Sequence, residues 1–381
     1  MRRLRYNPGV ASVLALLLLF SANAGAQWKR HVVAEGYAGQ TVIAADFTGD
    51  GLIDVVSNDS NRTILYVAPD WKPYVIHEGL HAIHSAVMDV DNDGDPDVIV
   101  ARYSPARILW LERPARPLEE PWPVRLVDDV MTGGIDGVHG LMVGDVDGDG
   151  KPDLAATSGR PTGKFANSVV WYKAPAAPLT TVQWTRNVAA AGDAPGLIHY
   201  VGIGDVDGDG KADLATGAKF PPDGNYFAWW KQPAKPGEKW KKAIVATRQE
   251  GATNILMADV NRDGKTDFVA SRGHGFGVVW FEAPTWKEHV IDAAIGGPHS
   301  LGVADIDGDG HPDVVTCGKN SRQVVWYQND GRGNFTRHLI WDGQSAYDLR
   351  LIDMDGDGDL DVLVAGEQSD NVVWFENPLK K

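Results

Sequence analysis

Short apolar runs, rich in β-branched and aromatic residues, recur along the chain between clusters of Gly, Pro, Asn and Asp, and no helical period follows residue 26. Four kinds of run repeat in fixed order. A run such as VIAA, LMVG, VGIG or LGVA precedes an Asp-rich stretch, and a second such as DVVS, DVIVA, DFVAS or DVLVA follows it. The third run is aromatic: ILYVAP at 64, ILWLERP at 108, VVWYKAP at 169, FAWWKQP at 227, VVWFEAP at 278, VVWYQND at 324 and VVWFENP at 372. The fourth opens at Trp28, Trp71, Trp122, Trp184, Trp240, Trp286 or Phe335 and continues as KRHVV or KEHVI. Four strands per repeat, seven times over, predict an all-β fold: a seven-bladed β-propeller with four antiparallel strands in each blade. The phase of the repeat predicts how the ring closes. The first strand, from Trp28, is of the fourth type, and the last, from Val372, is of the third. The N-terminal strand should therefore complete the last blade and remove two open edges.

The Asp-rich stretch between the first and second runs has the form D-x-[DNT]-x-D-G-x-x-D and begins at residues 46, 89, 145, 205, 259, 305 and 353. Oxygen-bearing side chains at positions 1, 3 and 5 with Gly at 6 let a tight loop wrap a hard cation, and the ninth-position Asp adds a further carboxylate. The expected ligands are Asp46, Thr48, Asp50 and Asp54; Asp89, Asp91, Asp93 and Asp97; Asp145, Asp147, Asp149 and Asp153; and Asp205, Asp207, Asp209 and Asp213. They continue with Asp259, Asn261, Asp263 and Asp267; Asp305, Asp307, Asp309 and Asp313; and Asp353, Asp355, Asp357 and Asp361. Hairpin turns alone explain one Asp per loop, not three or four, and such packed carboxylates repel without a counterion. An EF-hand is excluded, because strands flank the loop and its twelfth position is Ser57, Val100 or Ala156 rather than Glu. Up to seven Ca²⁺ are expected, one per blade. The loops with Thr48 and Asn261 are the weakest, a neutral oxygen replacing a carboxylate.

These residues resemble the VCBS/FG-GAP-like repeat family, the calcium-loop propellers also seen in integrin α-chain heads, over essentially all of residues 28–381. The resemblance implies the propeller and its calcium. For function it implies only a range: adhesion modules, polysaccharide-binding proteins and propeller domains of sugar-active enzymes. A slighter likeness, through W-x-x-H-V-I (Trp286 to Ile291) and G-x-H-S (Gly297 to Ser300), is to the propeller of aldos-2-ulose dehydratases, from which no catalytic residue is carried over.

Charge changes the picture in one respect. The chain carries −15, and −18 without Arg2, Arg3 and Arg5, so nucleic acid is not an expected partner; seven divalent ions would bring it to −4. Those arginines, the apolar run from Val13 to Phe20 and the small residues up to Ala26 form a signal peptide over residues 1–26, ahead of a propeller over 27–381. The expected location is periplasmic or extracellular, with no membrane span or lipid anchor. The single Cys317 lies in an apolar strand and reads as a buried, inert thiol.

Because strands alternate in direction, the starts of the innermost strands and the turns between second and third strands share the face opposite the Asp-rich loops. His139, His199 and His299 each stand six residues before the first Asp of their loop, and His84 stands five before. Gln40, Asn254 and Asp348 take the corresponding places elsewhere. Arg102, Arg160, Lys219, Arg272 and Lys319 follow the second strand in five blades, with Tyr103, Tyr200 and His274 nearby. This pattern points to a mouth that binds an anionic or polyhydroxylated ligand, Arg and Lys pairing with carboxylates and imidazoles available for proton transfer. The favoured reading is a monomeric, non-enzymatic binding protein for carbohydrate or acidic glycan. The alternatives are a sugar lyase, dehydratase or hydrolase with catalytic candidates His84, His139, His199 and His299; a transition metal held by several of the histidines; a protein–protein adhesion module using a blade rim; and a merely polar, water-filled channel. Twelve of the fourteen tryptophans occupy repeated strand positions, where packing explains them. The insertions at 158–168 and 219–227 make Phe165, Phe220 and Tyr226 the better rim candidates.

Overall fold

A computed structural model describes residues 27–36 and 39–379; the expected signal peptide lies outside the described residues. The strands form seven separate four-stranded antiparallel sheets. The first blade runs Val42–Ala45, Asp54–Asp59, Arg62–Val67 and Lys72–Glu78. Five more repeat this plan over residues 84–129, 141–190, 198–247, 255–296 and 298–342. The seventh combines Asp348–Ile352, Asp361–Gly366 and Asn371–Glu376 with the N-terminal strand Lys29–Glu35, paired in register from Lys29 with Glu376 to Glu35 with Asn371. The ring is thus closed by the two ends of the chain, as the phase of the repeat requires.

The core lies between blades rather than within them. Trp110 and Tyr172, both fully buried, meet in one apolar cluster joining the second and third blades, and Trp28 packs with Ile306, Trp326, Ile340 and Phe375 between the sixth and seventh. Second and third strands are covered on both faces and read as unbroken apolar runs, whereas the fourth strand faces solvent on one side. In all seven blades the pairing of third and fourth strands slips by a bulge, as between Val32 and Ala34. An extra residue there lets Val33 and Ala34 both turn inward, which strict alternation forbids.

The W-x-x-H element has a structural explanation. His31, His289 and His338 lie directly across from Trp374, Trp280 and Trp326 of the adjoining third strand and stack on their indoles, with centroids 3.9, 4.2 and 4.4 Å apart. Glu376 and Glu282 hold the ring nitrogens of His31 and His289, at 2.7 and 2.8 Å. These are cross-strand pairs between the third and fourth strands of the blades. Cys317 is buried, and burial pushes its thiol up to about 12.

Candidate functional site

Each Asp-rich loop is tied by its own backbone. The first Asp accepts N–H groups from within the loop: Asp205 Oδ1 takes those of Gly208 and Asp209, at 2.8 and 3.1 Å, and its Oδ2 takes that of Gly210, at 2.8 Å. The turn demands left-handed backbone at two positions. Gly at the sixth position has φ between 80° and 94° in all seven loops. The fourth position is also left-handed throughout, and Asn92 and Arg262 adopt it as well as the five glycines. That second requirement escaped the sequence pattern, which left position four open.

The ninth Asp is a clamp as well as a candidate ligand. Asp313 accepts the N–H of Ile306 in its own loop at 3.2 Å, the N–H of Asn329 at the end of the third strand at 2.7 Å and the indole N–H of Trp326 at 3.0 Å. Its counterparts in five other blades make the same two backbone bonds, and Asp54 in the first blade takes its in-loop N–H from Thr48, one residue further on. Burial raises these carboxyls, to about 7 at Asp97 and Asp361 and to about 6 at Asp153, Asp213 and Asp313.

The donor set fits a hard cation. In the loops beginning at Asp89, Asp145, Asp205 and Asp305, oxygens from positions 1, 3 and 9 lie within 4.8 Å of one another. Asp89 Oδ1 and Asp91 Oδ1 are buried and accept no hydrogen bond, and the neighbouring Asp93 adds to burial in raising the Asp91 carboxyl. In two loops a lysine ammonium stands among the carboxylates: Lys173 bridges Asp147 and Asp149, and Lys231 bridges Asp207 and Asp209. An all-oxygen shell of two or three carboxylates that already draws in an ammonium has the chemistry of a calcium site.

On the opposite face the predicted residues separate into two groups. His139, His199, His299, His274, Tyr200 and Lys219 converge. The rings of His139 and His199 stack with centroids 3.3 Å apart, and His199 Nε2 lies 3.1 Å from both His299 Nε2 and His274 Nε2. Lys219 Nζ reaches His274 Nε2 at 3.1 Å, and Tyr200 OH lies 3.2 Å from His299 Nδ1. His139, His199 and His299 are buried and plug the channel, while His274 is exposed above them. Burial, helped by the neighbouring imidazoles and Lys219, holds these three buried rings well below the usual histidine range, so they are neutral at pH 7. Burial and then Lys219 bring His274 to about 4, and burial and then Lys319 bring Lys219 down to about 8.

Most of the other cations are already engaged. Arg272 holds Gln249 and Glu288, Lys319 pairs with Glu367 at 2.5 Å, Arg160 pairs with Asp136 at 3.3 Å, and Arg102 donates to the Pro105 carbonyl at 2.7 Å. Tyr103 stands beside the cluster, its ring 6.1 Å from His139. His84 turns away. Its Nδ1 accepts the Leu141 N–H at 3.2 Å, and it lines a separate cavity of about 460 Å³ with Ser85 and Arg350. Among the places without histidine, Asp348 accepts from Thr41, Val42, Ser300 and Arg350 across three blades, and Asn254 donates to the His299 carbonyl at 2.6 Å. These two residues pin the inner ring together.

Tyr347 was missed. Its hydroxyl lies 2.9 Å from His139 Nε2, its ring 3.9 Å from that of His299, and its carbonyl 3.0 Å from His299 Nδ1. The signal was present: Tyr347 stands six residues before Asp353, the spacing that marks the three clustered histidines. A cavity of about 1260 Å³ lies elsewhere, beside the loops of the third and fourth blades, lined by Trp171, Lys173, Arg186 and Trp240.

Seven four-stranded sheets, each with an oxygen-rich loop between its first and second strands, define a β-propeller whose loops carry donor sets that could hold metal ions. The chain belongs to the FG-GAP-like repeat family, which it matches at residues 89–156, 205–270, 259–316 and 305–364. No curated protein matches it in sequence. Among solved structures it is similar to an Agrocybe aegerita lectin described for specific recognition of non-reducing terminal N-acetylglucosamine, at 18% identity over 88% of this chain and 85% of that one, with a TM-score of 0.54. It is also similar to BBS1N in complex with ARL6DN, in a lead-soaked crystal, at 12% identity over 92% and 97% of the two chains, with a TM-score of 0.61. The mercury-soaked form gives 13% and 0.57. At these identities the likeness is one of fold.

Proposed function

We propose that the protein is an exported, calcium-stabilised binding protein whose ligand, a glycan with acidic groups, sits at the channel mouth opposite the metal loops. The observation that carries this reading is the exposed corner formed by Phe220, Lys219 and His274. Phe220 is 46% exposed, an unusual state for a large aromatic ring in this fold. The Lys219 ammonium lies 5.0 Å from the Phe220 centroid and 3.1 Å from the neutral imidazole of His274. An open aromatic face beside a half-desolvated cation suits a sugar ring carrying a carboxylate. The lectin of the same fold supports the ligand class, and the sequence of residues 1–26 supports export. Neutral, buried imidazoles behind the corner offer hydrogen bonds without charge.

Glycan profiling in saturating calcium tests this. Uronate-containing oligosaccharides should bind more tightly than neutral ones, and added salt should weaken them. Lys219→Ala and Phe220→Ala should each weaken binding about 10-fold or more, whereas Lys241→Ala on an outer strand should not. Loss of binding on changing Arg186 or Trp240, with the mouth variants unaffected, would move the site to the groove beside the loops. Turnover of the bound glycan would favour the sugar-active enzyme reading.

A further inference from the structure

We infer that His139, His199 and His299 form a binding site for one late first-row divalent metal ion, of which zinc is the natural probe, distinct from the calcium loops. The argument begins with proton counting. His299 Nδ1 lies 3.0 Å from the Tyr347 carbonyl, which only accepts, so Nδ1 carries the hydrogen and Nε2 presents a bare lone pair. His274 Nε2 faces the Lys219 ammonium, which only donates, so it too presents a lone pair. Both nitrogens lie 3.1 Å from His199 Nε2. A neutral imidazole has one hydrogen at most on that atom, and two acceptors compete for it. Packed lone pairs with too few protons are the arrangement that a cation resolves.

Geometry agrees. A metal–imidazole bond of about 2.0–2.1 Å places adjacent nitrogens of a tetrahedral shell roughly 3.3 Å apart, close to the separation of His199 and His299. His139, His199 and His299 each bring one ring nitrogen within 4.8 Å of the others. His139 Nδ1 is buried without a hydrogen-bond partner. The His299–carbonyl bond is the kind of outer contact that fixes a ligating imidazole's tautomer and orientation. Three neutral imidazoles without a carboxylate select zinc or its neighbours over calcium or magnesium. The exposed His274, one nitrogen contact from His199, provides the way in from solvent. His84 takes no part, since its Nδ1 accepts a backbone N–H.

The site lies directly behind the proposed glycan corner, through the contact of His274 with His199, but its test needs no glycan. Protein stripped of metal and reloaded with calcium, to saturate the acidic loops, should retain one equivalent of zinc through dialysis. Cobalt in its place should give the intense visible bands of a four-coordinate, nitrogen-rich site. His199→Ala and His299→Gln should each lower zinc affinity by more than about 100-fold while keeping calcium stoichiometry and near-UV circular dichroism; His84→Gln should keep the zinc. If wild type holds no equivalent of zinc under calcium saturation, the assignment fails. It also fails if both folded variants, at positions 199 and 299, retain the metal.

Discussion

The seam between the two ends of the chain offers the sharpest test of the architecture, because one strand carries both the perturbation and its control. Trp28 is 7% exposed and packs between the sixth and seventh blades, whereas Val32, four residues on, points outward and is 37% exposed. Replacing Trp28 by Ala removes an indole from a closed apolar cluster, a change that costs about 3–5 kcal/mol. An unfolding entropy of about 2.1 cal/mol/K per residue over roughly 350 residues is about 0.7 kcal/mol/K, so the melting temperature should fall by about 4–7 °C. Val32→Ala should shift it by less than about 1 °C. Scanning calorimetry in saturating calcium reads both, and limited proteolysis of the N-terminal strand should accelerate only in the first variant. Equal shifts for the two, or a shift under about 1 °C for Trp28→Ala, would refute closure by the N-terminal strand.

Three further expectations follow from the loops and the buried rings. At about 1 mM calcium, a loop with a dissociation constant near 0.1 mM contributes about 1.4 kcal/mol, so chelation should lower the melt by many degrees and Asp307→Asn should remove one calcium by elemental analysis. Asp313→Ala should cost at least about 3 kcal/mol even in chelator, because it orphans two backbone N–H groups and the Trp326 indole; denaturant titration of metal-free protein checks this. His84, held down to about 4 by burial, stays neutral in the folded state while the unfolded chain takes up a proton below about 6.5. Its contribution is therefore complete above pH 6.5 and is lost as pH falls toward 4. Between pH 7 and 5 the wild type should lose about 2 kcal/mol more than His84→Gln in paired denaturation curves.

The repeat made the architecture legible because each copy states the same local physics. Seven Asp-Gly loops, seven aromatic strands and the phase of the terminal strands were enough to specify blades and closure. What stayed hidden depends on partners from other copies. Nothing near Arg272 in sequence shows that Glu288 and Gln249 occupy it, so its reading as a free ligand-binding cation rested on position alone. The double duty of Asp313 was invisible because Asn329 donates from the far end of the third strand, sixteen residues away. His84 looked equivalent to the clustered histidines, yet its spacing differs by one residue, and in a strand one residue is a change of face. Tyr347 kept the exact spacing and was passed over only because it is not a histidine.

The pairing of Lys29 with Glu376 has a consequence for biosynthesis. These residues lie 347 apart in sequence, so the strand from Lys29 is synthesised long before the partner it needs. Until then its edge is open, and so is that of the third strand of the final blade. A chain cut short anywhere before residue 371 has no partner to offer and leaves that first strand exposed to proteases and to foreign edges. Covering the strand from Lys29 therefore requires that synthesis reach the strand from Asn371.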